Sequence, residues 1–401
     1  MTVKKVKVGV VGSGNISWTY LNDLTRRFDI IDVVGCSDLI PEKSERRSKE
    51  FGIRQMTTEE IMADPEIEII CNITQPVHHY EVNKLAVEAG KSVYTEKMFC
   101  STLAEAEEIY ELAKTKPGVR LSAGPDTSLG AAIQTARKLI DDGYIGTPLQ
   151  ANAVIARGYH FAFPGLPDPT PFIFDRGGTL PYDMGSYYIH ALIWLLGGVK
   201  RVTGFARPYE NKTYMHPFNP KYGEKLELPT SSMLSAALEF DCGAYGSLVC
   251  LGESFMPETS RIEIYGTDGT LIVPDPNCYD GPVKLLRNGD TRFLEVPLTH
   301  SYGNPIPAAP REPGAPRPTE AEQWNRSYRG IGIADMAWAI RNNRPHRCAV
   351  EIGLQALEIV EACTEIAKTG SAVHVMKHTV EKPKALRPGF VGGNKEAVFD
   401  D

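Results

Sequence analysis

The chain has 401 residues, of which 42% are apolar and 23% charged, and carries a formal net charge of −7. This is the composition of a soluble globular protein long enough for two hydrophobic cores. The acidic balance leaves no basic footprint for nucleic acid or an anionic membrane, so small molecules are the expected partners.

Eight cysteines form no Cys-x-x-Cys pair and no zinc-type Cys/His spacing, so buried free thiols in a reducing cytoplasm, and no metal site, are expected. The lysines near the N-terminus precede an apolar run that is short, alternating and glycine-rich, which reads as a strand and not a signal peptide. No window approaches the ~18 apolar residues needed to cross a bilayer.

Residues 3–11 form a β-branched strand followed at once by Gly12-Ser-Gly14-Asn15-Ile16-Ser17 and a helix over Trp18–Arg27. This is a Gly-x-Gly-x-x-Gly fingerprint with serine in the third place, in which the glycines let the backbone turn tightly against a pyrophosphate at a helix N-terminus. The next strand, Ile30–Cys36, ends at Asp38, about 20 residues downstream, where an acid meets the adenosine ribose and repels a 2′-phosphate. NAD is therefore expected over NADP, with Arg46 and Arg47 on the following helix the residues that argue the other way.

The alternation continues through helix Pro41–Phe51, a short strand near Arg54–Met56, helix Thr58–Ala63 and strand Ile67–Ile73, which predicts a parallel, doubly wound sheet. A turn then carries Thr74, Pro76, His78 and His79 into helix Tyr80–Ala89. Ligands in such sheets lie beyond the carboxyl ends of strands, so Thr74, Pro76 and His79 are expected near the nicotinamide half of the cofactor. Strand Ser92–Thr95 delivers Glu96-Lys97-Met98, and Thr102-x-x-Glu105 is a capping box for a helix ending near Lys114. Strand Arg120–Ala123 leads to Asp126, where the boundary of the first domain is set, and helix Leu129–Asp142 follows.

Strand Leu149–Arg157 leads into a proline-rich loop, and Arg157, His160 and Arg176 are candidates for lining a substrate pocket. Between Gly177 and Gly197 a glycine-loosened entry runs into the apolar stretch Ile189–Leu196, the pattern of a buried helix. Asp183, Tyr187 and His190 are spaced by four and three residues along it, which stands an acid, a phenol and an imidazole on one face. Burying three polar groups is costly unless each has a partner, so this face is the expected seat of the chemistry. From Val199 strands dominate: 199–207, 232–241, 244–251, 260–266, 270–273, 283–287 and 292–296. Strings such as Arg261-Ile-Glu-Ile-Tyr265 alternate, leaving one face of an antiparallel sheet wet or free for a partner. Residues 298–327 carry six prolines between Pro305 and Pro318, too many for regular structure. Helices Ala334–Asn342 and Glu351–Lys368 close the fold, and the tail from about Lys377 shows no periodicity.

Gly12-x-Gly14, Asp38, the Thr74–His79 turn, the segment from Ala89 to Lys97, and Asp183-x-Gly185-x-Tyr187 together resemble the glucose–fructose oxidoreductase / inositol dehydrogenase (Gfo/Idh/MocA) family over about residues 3–376. The resemblance implies a Rossmann domain over 1–126, an α+β domain with a large, mostly antiparallel open sheet over 127–376 that binds substrate and mediates homo-oligomerisation, and an extension over 377–401. It implies further that Lys97, from a Glu-Lys-Pro motif, contacts the reacting hydroxyl, and that Asp183, from an Asp-x-Gly-x-His motif, orients the base. Met98 stands where the family's proline usually is, and Tyr187 stands where its histidine usually is; members resembling glucose–fructose oxidoreductase and the dihydrodiol dehydrogenases also carry tyrosine at the latter position. His190 takes a place where relatives often have aspartate, and both Tyr187 and His190 remain candidates for the base.

The expected cofactor contacts are Gly12, Gly14, Asn15, Ile16, Asp38, Thr74, Pro76, His79, Glu96 and Lys97; the expected substrate contacts are Asp126, Arg157, His160 and Tyr182. The expected activity is a cytoplasmic NAD-dependent dehydrogenase for a secondary hydroxyl of a sugar, glycoside or cyclitol. The surroundings of Asp126, Tyr182 and His190 resemble members that oxidise glucosides, with C3 among the expected positions. Two rivals stand beside it: redox-neutral, NAD-assisted glycoside cleavage on the same fold, and a non-catalytic NAD-binding regulator, against which the retained Lys97 speaks.

Overall fold

A computed structural model describes residues 3–156, 174–211, 213–214, 220–253, 260–303, 327–389 and 396–399. Its first sheet is built from β1 (Val6–Val11), β2 (Ile31–Ser37), β3 (Arg54–Gln55), β4 (Ile69–Asn72), β5 (Ser92–Thr95) and β6 (Leu121–Ala123). These strands are parallel, in the order β3-β2-β1-β4-β5-β6. The connecting helices are α1 (Ser17–Arg26), α2 (Pro41–Phe51), α3 (Thr58–Ala63), α4 (Pro76–Glu88) and α5 (Leu103–Lys114). Strand β4 is buried at every position, as a strand covered on both faces must be. The strand order reverses between β1 and β4, so their carboxyl ends open the crevice in which such sheets hold a ligand.

A short 3₁₀ turn at Asp126–Leu129 and α6 (Ala131–Asp141) lead to the second sheet. Its nine strands begin with β7 (Pro148–Ala156) and β8 (Val199–Arg207), followed by β9 (Met233–Phe240), β10 (Tyr245–Leu251), β11 (Arg261–Gly266) and β12 (Gly269–Val273). β13 (Val283–Arg287), β14 (Leu294–Val296) and β15 (His374–Val375) complete it. The order is β14-β13-β12-β11-β7-β10-β9-β8-β15, antiparallel throughout except for the β7–β10 pair. Strand β9 alternates between buried Leu234, Ala236 and Leu238 and exposed Ser235 and Ala237, so the sheet packs its helices on one face only.

The glycine-loosened helix is two pieces, α7 (Leu180–Asp183) and α8 (Gly185–Leu196), hinged at Met184. Ser186 donates its hydroxyl to the Asp183 carbonyl (3.0 Å), a local bond that competes with the helical ladder and accounts for the hinge. Every residue of α8 is buried. The last helices, α9 (Ile331–Arg341) and α10 (Val350–Thr369), return to the first half of the chain. Arg341 binds Glu68 through two nitrogens, Ser122 on β6 donates to the Cys348 carbonyl, and α10 packs against α5, α8 and β8. The two sheets are thus braced by a shared helical layer.

The tail, which lacks any sequence periodicity, is nonetheless docked over 377–389. Gln134 accepts from the Leu386 amide, Arg137 donates to the Pro383 carbonyl, and further on Phe399 stacks on Tyr302. All eight cysteines are free, six of them buried, and Cys242 and Cys278 exposed. Among the described residues no helix is long and apolar enough to cross a membrane, and no cluster of His, Cys, Asp or Glu suits a metal ion.

Candidate active site

The fingerprint residues meet at the carboxyl end of β1. Gly12 has φ +104, and a Cβ there would lie 2.8 Å from the Ile73 backbone, so only glycine lets β1 turn so close to β4. Gly14 has open space where a side chain would be, and no side chain caps the N-terminus of α1 beside the exposed Asn15 and Ile16. An uncapped helix start facing open space is the setting for a pyrophosphate. Asp38 is held at the tip of β2 by the amides of Ser13 (2.7 Å) and Ile40 (2.9 Å), one to each carboxylate oxygen. Each oxygen keeps a further lone pair for a ribose hydroxyl. Of the two arginines that argued for a 2′-phosphate, Arg46 is exposed, and Arg47 is buried and committed: it donates to Ser17 Oγ (3.0 Å) and pairs with Glu50 (2.7 Å). The crevice therefore fits an adenine dinucleotide with a free ribose 2′-hydroxyl. Asp38→Ala removes that acceptor, and the Kd for NAD should rise ~10- to 100-fold, the worth of a charge-assisted hydrogen bond. Titration by NADH fluorescence checks it, and an unchanged Kd contradicts the assignment.

The turn after β4 departs from expectation. Helix α4 starts at Pro76, so Pro76 and His79 belong to its first turn. His79 is fully buried, with Nδ1 2.6 Å from the Met98 carbonyl and Nε2 3.0 Å from the Thr74 carbonyl. Burial lowers its pKa while the two carbonyls raise it, and the ring braces the turns after β4 and β5 against each other. Thr74 donates its hydroxyl to Asn72 (2.7 Å) at the same strand end.

Lys97, at the end of β5, lies against the helix that the sequence marked. Its Nζ is 2.7 Å from Asp183 Oδ1, 4.0 Å from Glu96 Oε2 and 5.9 Å from the centroid of the Tyr187 ring. These anions and the phenol together outweigh desolvation and raise the lysine pKa, so it stays charged. Glu96, placed at the cofactor by sequence, spends its carboxylate inward: Oε1 accepts from Tyr20 (2.6 Å) and Arg329 (3.0 Å), and Oε2 from the Lys97 amide (3.0 Å). Although burial opposes ionisation, Arg329 and Lys97 hold its pKa below the usual range.

Arg329 was not anticipated. It is buried just ahead of α9, and its second terminal nitrogen donates to the Tyr187 hydroxyl at 2.8 Å. Nothing in Ser-Tyr-Arg-Gly distinguishes it from a surface arginine; only the fold brings it to Tyr187. Burial raises the Tyr187 pKa, while Arg329 and Lys97 pull it down. His190, one turn further along α8, has no hydrogen-bond partner among the described residues and is 2% exposed. Desolvation alone drives its pKa down to about 3, so it stays neutral.

Two expected substrate residues take other work. Asp126 is fully buried and accepts from Tyr279 (2.6 Å) and from the amides of Gly330 (2.9 Å) and Gly332 (3.1 Å), which ties it to the start of α9. Tyr182 is buried on α7, its pKa raised by desolvation and by Glu361 of α10. Arg157 and His160 lie outside the described residues.

A nucleotide-type crevice that leads to a charged lysine, an aspartate and a tyrosine defines a dinucleotide-dependent oxidoreductase. The family model described as "Oxidoreductase family, NAD-binding Rossmann fold" matches residues 6–124, and "GFO/IDH/MocA C-terminal domain" matches 133–272. The chain belongs to the Gfo/Idh/MocA oxidoreductase family. Among its relatives, the D-xylose 1-dehydrogenase (NADP(+)) of Hypocrea jecorina is 32% identical over 73% of this chain and 78% of that protein. The scyllo-inositol 2-dehydrogenase (NAD(+)) of Bacillus subtilis is 25% identical over 67% of this chain and 74% of its own length. In fold, the chain is similar to a levoglucosan dehydrogenase solved with NADH and levoglucosan, with a TM-score of 0.75, 21% identity, and coverage of 93% of this chain and 100% of that one.

Proposed function

We propose that this oxidoreductase uses NAD to oxidise a secondary hydroxyl of a sugar, glycoside or cyclitol, with residues 1–126 carrying the dinucleotide and the sheet domain over 127–376 closing on the substrate. The observation that carries the reading is the contact between Lys97 and the Asp183/Tyr187 helix at the end of the strand crevice. NAD, when bound, supplies the hydride acceptor. Lys97 then neutralises charge growing on the substrate oxygen, Asp183 fixes the ammonium, and Tyr187 takes the hydroxyl proton. Its relatives' names, a xylose, an inositol and a levoglucosan dehydrogenase, support a polyhydroxylated ring or chain as substrate; a glucoside, with C3 as the reacting carbon, is the member of that class we favour. Asp38 and the committed Arg47 support NAD over NADP.

A panel of pyranosides, cyclitols and free sugars with NAD and NADP tests this at 340 nm. Lasting NADH with at least one member supports it, whereas product without net NADH points to redox-neutral cleavage and no turnover on any member to a regulator. We assign the protein to the cytoplasm on its buried thiols, and assembly to the outer face of the second sheet, where Phe205 is 70% and Tyr245 63% exposed. Light scattering of the purified protein reads the assembly state, and a monomer at micromolar concentration overturns it.

A further inference from the structure

We propose that Arg329 is the positioning residue that makes Tyr187, and not His190, the base, and that Asp126 is its anchor. This deepens the reading above and rests on it.

A phenol oxygen has one hydrogen to give and two lone pairs to receive with. Arg329 occupies the receiving side of Tyr187, while the phenol's own hydrogen has no acceptor among the described residues. That arrangement suits a group whose proton is exchanged with a ligand and whose anion is met by a donor already in place. The guanidinium also lies 5.6 Å from the Tyr187 ring centroid, with Lys97 Nζ at 5.9 Å. Two cations therefore flank one buried phenol, and phenolate is the form they favour. The charged groups acting on Tyr187 are Arg329 ahead of α9, Lys97 and Glu96 after β5, and Asp183 at the end of α7. Among the described residues, His190 has neither a cation nor a hydrogen-bond partner to orient it.

Arg329 keeps this place because it is held on both sides. Glu96, itself fixed by Tyr20, accepts from its other terminal nitrogen, and Asn277 Oδ1 lies at 3.5 Å. Behind it the backbone is pinned where Asp126 receives the Gly330 and Gly332 amides. Gly330 has φ +92, the left-handed conformation that turns the chain from Arg329 into α9. A carboxylate that sequence assigns to the substrate thus works through the backbone on an arginine that sequence does not single out.

The test is a double-mutant cycle on the full chain with NAD and the best substrate of the panel, following kcat/KM against pH. Arg329→Met should move the alkaline limb of the profile up by about one pH unit or more and cut kcat ~10- to 100-fold, with the Kd for NAD changed less than about threefold. Tyr187→Phe should already lower kcat/KM ~10²- to 10⁴-fold, and adding Arg329→Met to it should cost less than about threefold more of the residual rate, because the arginine acts through the phenol. Arg329→Lys, which keeps a cation but not the two-armed fork, should shift the limb part of the way and serves if the methionine variant does not fold. An active Tyr187→Phe enzyme overturns the base assignment itself. An inactive Tyr187→Phe enzyme with the limb unmoved in both Arg329 variants overturns only the role of Arg329.

Discussion

Replacing Lys97 with alanine should reduce kcat by ~10³-fold or more while NAD still binds, because the ammonium is the positive charge placed to meet the developing alkoxide. The groups proposed to hold the dinucleotide's phosphates and ribose are the fingerprint turn and Asp38 at the tip of β2, while the Lys97 ammonium is paired with Asp183, so the Kd for NAD should stay within about threefold. The same substitution should also lower stability. Asp183 has a side chain only 7% exposed, and removing its cation at 2.7 Å strips a buried carboxylate of its ion pair, a loss of ~3–5 kcal/mol in comparable sites. The double variant Lys97→Ala/Asp183→Asn takes that charge away as well, and should recover most of the thermal midpoint without recovering turnover. Differential scanning fluorimetry beside steady-state kinetics separates the two effects. Unaltered turnover in Lys97→Ala, or loss of NAD binding with it, contradicts the assignment.

What sequence makes legible here is what periodicity and turn chemistry encode. The parallel first sheet was readable because each βα unit carries its own local signal: a strand, a glycine or proline turn, then a helix, as in Val6–Val11, Gly12 and Ser17–Arg26. Lys97 and Asp183 could be singled out because each stands in a recognisable motif, and the fold brings them to 2.7 Å. Positions defined only by long-range packing were not readable. Arg329 takes its place through Glu96 and Tyr187, both distant in sequence, and nothing in its neighbours' side chains announces that. Asp126 and His79 show the converse. Polar residues at strand ends looked like ligand contacts, yet in a fold joining two sheets the strand ends are also where loops must be tied, and backbone amides and carbonyls claimed these side chains. The tail illustrates the same limit: buried Leu386 and Phe399 carry no period, so their docking follows from the surface they meet.

Tyr187→Phe should abolish oxidation, lowering kcat/KM by ~10²- to 10⁴-fold, whereas His190→Gln should cost less than about tenfold, and the pH profiles should say why. A base must be unprotonated to act, so activity is lost as pH falls through its pKa. For His190 that pKa is about 3, reached by desolvation with no opposing charge among the described residues. Were it the base, the enzyme would be fully active from pH 5 upward and the profile flat across the alkaline range. Burial instead raises Tyr187 above its ordinary value, with Arg329 and Lys97 opposing the rise. The wild-type rate of oxidation should therefore climb with pH through the alkaline range. The limb should persist in His190→Gln and disappear, together with the activity, in Tyr187→Phe. His190 then contributes what a neutral, buried ring can, shape beside the substrate, and its replacement should raise KM more than it lowers kcat. A flat alkaline profile in the wild type, or a Tyr187→Phe enzyme that keeps its rate while His190→Gln loses it, would reverse the assignment. Either outcome would move the proton to an imidazole that the two cations do not reach.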